Sequence, residues 1–306
     1  HLTHAAEKPS TSPTDFTSDN ALPFHPKYDW TLGPTGARGW YHTANGHSHG
    51  ARQILVTEIA AGAAAEGVLQ KDDVILGVNG SPFTDDARVQ FANAITTAEA
   101  GNGRLSVRHW RAGAILDSTI NLPALGQYSS TAPYDCEKSR RIVEEGCASL
   151  ARRMAAPDYA QKLDAIPRTL NALALLASGK KEYLPLVAKE AAWASEFTTN
   201  GYLSWYYGYL MMFVSEYVMA TGDTSVMPGL KRLALETAKG RSGVGTWGHR
   251  FATDHGNLGG YGAMNQPGLS LTIGMVLARE AGVSDPELDR AIDQSAAFLR
   301  WWMAVS

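Results

Sequence analysis

Residues 245–265 hold the densest set of reactive side chains in the chain: His249, Arg250, Asp254, His255, Tyr261 and Asn265, spread through a glycine-rich stretch. β-Elimination at a uronic-acid polysaccharide needs three groups. A cation or amide neutralises the substrate carboxylate, a base working near neutral pH removes the adjacent proton, and an acid protonates the leaving oxygen. Asn265 and Arg250 suit the first task, His249 the second and Tyr261 the third. Asp254 supports a competing hydrolytic reading, which requires a second carboxylate across the glycosidic bond; Asp135 or Glu196 would have to serve. A second loop, 197–209, brings Trp205, Tyr206 and Tyr209 to the start of an apolar helix. With Trp247 they form the expected sugar-stacking surface.

These loops need helices to hold them. From residue 135 onward the apolar spacing is almost wholly helical. The stretches 135–154, 183–197, 230–239 and 286–303 are amphipathic, whereas 170–177, 205–221 and 269–281 are apolar nearly all round, as buried helices are. The buried set ends alike, at Ala177-Ser-Gly179, Ala220-Thr-Gly222 and Glu280-Ala-Gly282, with glycine as the left-handed stop. Inner helices surrounded by outer ones make an α/α toroid, and loops leading into the inner helices ring its central cavity. The chain supplies too few hairpins to close such a ring, so an incomplete toroid is expected, completed by a missing half or another subunit. The adjacent Trp301 and Trp302 fit surface that something else covers.

The first part of the chain has a different period. Ile54–Ile59, 73–78, 105–110 and 115–122 have strand length and composition. Asn79-Gly80 and Ala112-Gly113 mark hairpins, a short helix is expected near 62–68, and Ala87, Phe91, Ala94, Ile95 and Ala98 place a helix over 84–98. Residues 1–27 are rich in Pro, Ser and Thr and lack periodicity, so they read as an irregular arm. The expected organisation is therefore α+β and multidomain: the arm, a β-rich domain over 28–125, a linker over 126–134, and an all-α domain over 135–306.

Composition excludes several classes. A net charge of −3 with 19% charged residues offers no basic face for nucleic acid. No window approaches the apolar length of a membrane span. The sequence has no Gly-x-Ser-x-Gly elbow, phosphate loop or dinucleotide fingerprint. On one straight helix Cys136 and Cys147 would stand about 16 Å apart, beyond the reach of a disulfide. The polar tract after an opening His1-Leu-Thr-His4, with no initiating Met, reads as the start of a processed chain, and secretion or the periplasm is expected.

The segment Ile54-Leu-Val-Thr-Glu-Ile-Ala-Ala-Gly-Ala-Ala-Ala-Glu-Gly-Val-Leu-Gln-Lys-Asp-Asp-Val-Ile-Leu-Gly-Val-Asn-Gly80 resembles the core of a bacterial PDZ domain. Further motifs extend the likeness: Leu32-Gly-Pro-Thr-Gly-Ala-Arg-Gly-Trp40, Thr131-Ala-Pro-Tyr-Asp-Cys136, residues 165–177, Gly245-Thr-Trp-Gly-His-Arg-Phe251 and residues 259–268. Together they resemble a bacterial family joining an N-terminal PDZ domain to an α/α toroid of terpenoid-cyclase-like or polysaccharide-lyase-like architecture. The resemblance implies that an extended peptide end adds to a sheet edge, with its carboxylate held by loop 33–40 through Gly36, Ala37, Arg38 and Gly39, and with the 84–98 helix as far wall. His42, His47 and His49 lie in an insertion beside that edge. They form a nitrogen set that Zn or Cu would accept, against the plainer reading of a solvated, glycine-flanked loop. No metal and no other cofactor is expected. Two functions follow: an exported protein whose toroid processes an extracellular polysaccharide by lyase or hydrolase chemistry, or a non-catalytic scaffold in which the PDZ domain grips a peptide and the toroid is a docking surface.

Overall fold

The computed structural model describes residues 15–18, 29–41, 50–199, 203–259 and 262–305. The chain divides into two compact units, residues 1–141 and 142–306, each with its own hydrophobic core.

The first unit is an antiparallel sheet with one long helix. Its strands are β1 (Trp30–Thr31), β2 (Ala37–Trp40), β3 (Ile54–Ile59), β4 (Val74–Val78), β5 (Ser81–Pro82), β6 (Arg104–Arg111) and β7 (Ala114–Asn121), in the order β1-β2-β3-β4-β6-β7, with β5 paired to β4. The β6–β7 hairpin turns at Ala112 and Gly113, both at positive φ (47° and 91°), the backbone that a two-residue turn requires. Helix α1 (Ala87–Ala100) starts where the Asp86 carboxylate accepts from the Arg88 and Val89 amides at 2.9 and 3.4 Å, satisfying donors that the first turn leaves free. Its Phe91, Ala94, Ile95 and Ala98 face a core of Leu32, Ile54, Val56, Ile75, Leu105, Val107 and Ile120.

Residues 62–68 form successive turns rather than the expected short helix. Gly62 and Gly67 hold φ of 76° and 75°, and a left-handed residue at each end interrupts a right-handed helix. Below these turns lies a buried polar knot. Asp73, 1% exposed, accepts from Arg111 at 2.7 and 2.6 Å and from the Gln70 amide at 2.8 Å. The fully buried His109 stands between Asp73 and Ser118 Oγ, at 3.3 and 3.1 Å.

The second unit is all helical. It contains most of α2 (Glu137–Met154), then α3 (Ala165–Ala177), α4 (Leu184–Glu196), α5 (Trp205–Thr221), α6 (Met227–Lys239), α7 (Asn265–Glu280) and α8 (Pro286–Val305). Helix α5 packs against α3, α4, α6 and α7, which explains why it is apolar all round: Tyr207, Leu210, Met211, Phe213, Val214, Tyr217 and Val218 are all buried. Helices α3, α5 and α7 stand side by side, and α4, α6 and α8 line up behind them. The α5–α7 crossing is close enough that a Cβ on Gly208 would lie 2.6 Å from the Ser270 carbonyl carbon. Helix α5 ends at Gly222 in the left-handed region, φ 73°, as its repeated ending predicts. The buried Arg168 of α3 ties the unit to α4 through Glu190, at 2.8 and 2.7 Å, and lies 3.5 Å over the Trp193 ring.

Candidate functional site

The loop expected to hold a peptide carboxylate is built as the turn of a hairpin. Residues Gly33–Thr35 make one 3-10 turn, and Gly36 follows at φ 71°. Ala37, Arg38 and Gly39 then enter β2. That strand is paired on both sides: with β3 through Ala37↔Ile59 and Arg38↔Glu58, and with β1 through Trp30↔Gly39 and Thr31↔Arg38. Two of the loop donors have acceptors within it: the Gly36 amide bonds Gly33 O at 3.1 Å and the Ala37 amide bonds Thr35 Oγ at 3.2 Å.

Arg38 donates to the Asp29 carboxylate at 2.8 Å and to its backbone carbonyl at 3.1 Å, while Thr57 Oγ donates to the other carboxylate oxygen at 3.0 Å. The Arg38 hydrogen bond holds the Asp29 carboxyl below its ordinary pKa and raises that of Arg38. Trp30 stacks on Tyr41, with centroids 4.7 Å apart and planes 21° from parallel. His42, His47 and His49 lie outside the described residues. Among the described residues no group of three or more His, Cys, Asp or Glu side chains gathers as a metal-binding set.

In the helical unit, the glycine-rich stretch before α7 works first as a packing element. Trp247 is fully buried, and its Nε1–H donates to Thr237 O at 3.0 Å. Its carbonyl accepts from the Met264 amide at 3.0 Å. Gly248 O and His249 O accept from Ser204 Oγ and the Ser204 amide at 2.6 and 3.0 Å, fastening the stretch to the start of α5. The half-buried His249 ring meets Trp205 edge-on, centroids 4.8 Å apart.

Arg250, Asp254 and Asn265 are exposed, Asn265 as the first residue of α7, and Tyr261 lies outside the described residues. A pocket of about 400 Å³ opens beside Asp254, lined by Lys239, Arg241, Ser242, Thr253 and Gln294 among others. His249, Asn265 and Trp205 are not among its lining residues. Tyr206 and Tyr209 are half-buried on α5. Their neighbour Tyr207 is turned inward onto Glu236 at 2.6 Å, and burial pushes its phenol up to about 12.

One reactive group carries little signal in the sequence. Cys136 immediately precedes α2, is buried, and accepts a hydrogen bond from the Ser129 amide at 3.3 Å. Hydrogen bonds from the Ser139 side chain and from Ser129 bring its pKa down to about 6, so the thiolate is favoured at neutral pH. The helical spacing over 135–154 takes Cys136 into the helix, whereas α2 begins one residue after it. Cys136 and Cys147 are both free thiols.

Comparison with known families assigns both parts of the chain. A PDZ-domain model matches residues 32–106, which take in the loop, strands β2 to β5, helix α1 and the start of β6. A second model, described as a domain of unknown function (DUF6288), matches residues 139–304, more than half of the chain. No curated protein and no solved structure matches it. The chain thus belongs to the DUF6288 family, whose all-helical region here follows a PDZ domain.

Proposed function

We propose that this is an interaction protein, in which the PDZ unit recognises an extended peptide end and the helical unit serves as a docking body. PDZ domains take ligands by adding a strand to a sheet edge, and β2, with Arg38 beside its loop and only the two-residue β1 beyond it, is the strand suited to that role. One observation carries the choice over an enzyme. The described members of the proposed catalytic set stand in different surroundings: His249 packs on Trp205, Asn265 is exposed at the start of α7, and Asp254 lines a pocket whose lining includes neither of them. The two ranks of helices, α3-α5-α7 and α4-α6-α8, support the reading of the helical unit as an arc of an α/α toroid.

The pocket beside Asp254 favours a second reading. A carboxylate flanked by Lys239, Arg241 and Gln294 suits an anionic sugar, so polysaccharide processing would centre there.

Both readings meet one pair of assays. The purified chain is screened against a display library of peptides with free carboxyl ends, and for turnover on neutral and uronic-acid polysaccharides. Micromolar binding to a defined class of peptide ends, without turnover, is expected. Turnover abolished by Asp254→Asn or His249→Ala would replace the scaffold with the enzyme.

A further inference from the structure

The edge of β2 that a peptide would join is already taken by this chain. Strand β1 pairs with it antiparallel, Trp30 opposite Gly39 and Thr31 opposite Arg38. It runs toward the loop, the direction in which a peptide delivers its carboxyl end to a carboxylate loop. At the end of the strand Leu32 is buried in the PDZ core, and its amide donates to Ala37 O at 2.9 Å. A buried apolar residue at that point takes the place of a ligand's last side chain. Where a ligand would present its carboxylate to the loop amides, Gly33 O already occupies the Gly36 amide. The Asp29 carboxylate, meanwhile, occupies Arg38.

Three contacts hold the strand down: the backbone pairing, the Asp29 carboxylate shared between Arg38 of β2 and Thr57 of β3, and the Trp30–Tyr41 stack. All three come from residues 29–41 and 57, so they form a latch local to this edge. We infer that residues 29–32 are an internal occupant of the PDZ peptide edge, which must leave β2 before an extended peptide with an apolar carboxyl-terminal residue can enter. This rests on the peptide-recognition reading above and adds its regulation.

The test compares the full chain with a double variant, Asp29→Ala/Trp30→Ala. The probe is a fluorescein-labelled peptide, Lys-Tyr-Asp-Trp-Thr-Leu, which copies residues 27–32 with a free carboxyl end. Hydrogen exchange of the β2 amides reports the pairing without any ligand. The parent chain is expected to protect those amides and to bind the probe at least tenfold more weakly than the variant, with protection returning to the variant when the probe is added.

Equal affinity in the two proteins overturns the internal occupant while leaving peptide recognition intact. A folded variant with exposed β2 amides that still binds no probe overturns the peptide-recognition reading, and the inference with it. Thr57→Val keeps β1 unchanged and removes one hydrogen bond from Asp29, so it stands in if the double variant does not fold. It is expected to raise both exchange and affinity by a smaller factor, and no change in either overturns the latch.

Discussion

A tryptophan that stacks on a sugar keeps one face open to solvent, but Trp247 has none, and its Nε1–H is committed to Thr237 O. Trp247→Phe is expected to cost about 1–3 kcal/mol, largely because a buried carbonyl loses its donor. Trp247→Ala is expected to cost roughly 3–5 kcal/mol through lost contacts and the cavity left behind. Urea denaturation followed by circular dichroism measures both, and a substrate-stacking role would leave stability unchanged while raising KM. His109 supplies a pH dependence. Burial lowers its pKa, outweighing the attraction of Asp73, so the unfolded chain takes up a proton that the folded chain resists. The stability that follows from keeping His109 neutral is complete above its ordinary pKa of about 6.5. It is lost progressively as pH falls toward the lowered folded value. Chemical denaturation of the parent chain between pH 7.5 and 5 should show this decline, and His109→Gln should flatten it. Neither environment was legible beforehand. A tryptophan in a glycine-rich stretch reads equally as a platform or a plug, and a histidine on a strand says nothing about the aspartate that the start of a neighbouring strand will set beside it.

At the scale of elements, one close crossing in the helical unit is that of α5 against α7. Gly208→Ala places a methyl 2.6 Å from the Ser270 carbonyl carbon, and backbone cannot yield there as a flexible side chain would. An overpacking cost of about 1–3 kcal/mol is expected, read as a shift in the denaturation midpoint; an unchanged midpoint would show that the two helices do not cross there. Helix α5 itself was fully legible, because a helix surrounded by others must be apolar on every side, and its bounds match the apolar run. Helix α3 begins five residues earlier than its apolar run. Pro167 sits in its first turn, where the missing amide has no intrahelical partner to lose, so proline there does not mark a boundary. The turns at 62–68 went the other way, because apolar spacing does not reveal that Gly62 and Gly67 are left-handed. Strand β1 left no trace in the pattern. Two residues have no period, and only the partner strand shows what they are.

For the whole molecule, the sequence separated the sheet region from the helical region through the change of period after Leu125. The family matches give the same order, a PDZ region followed by an all-helical one, and the compact units meet after Arg141. Among the described residues no helix is long and apolar enough to cross a membrane. The function was less legible: of the described reactive side chains of 245–265, His249 packs half-buried on Trp205, whereas Arg250, Asp254, His255 and Asn265 are exposed, and spacing alone does not show those surroundings. The hairpin that carries β1 onto β2 has a further consequence for how the chain would respond to its surroundings. A segment tethered by so short a loop competes at an effective concentration on the order of millimolar. A free peptide at micromolar concentration would then need roughly a thousandfold intrinsic advantage, about 4 kcal/mol, to displace it. Such an edge acts as a threshold: it ignores dilute single ends and responds to ends presented at high local density, as on a multivalent partner.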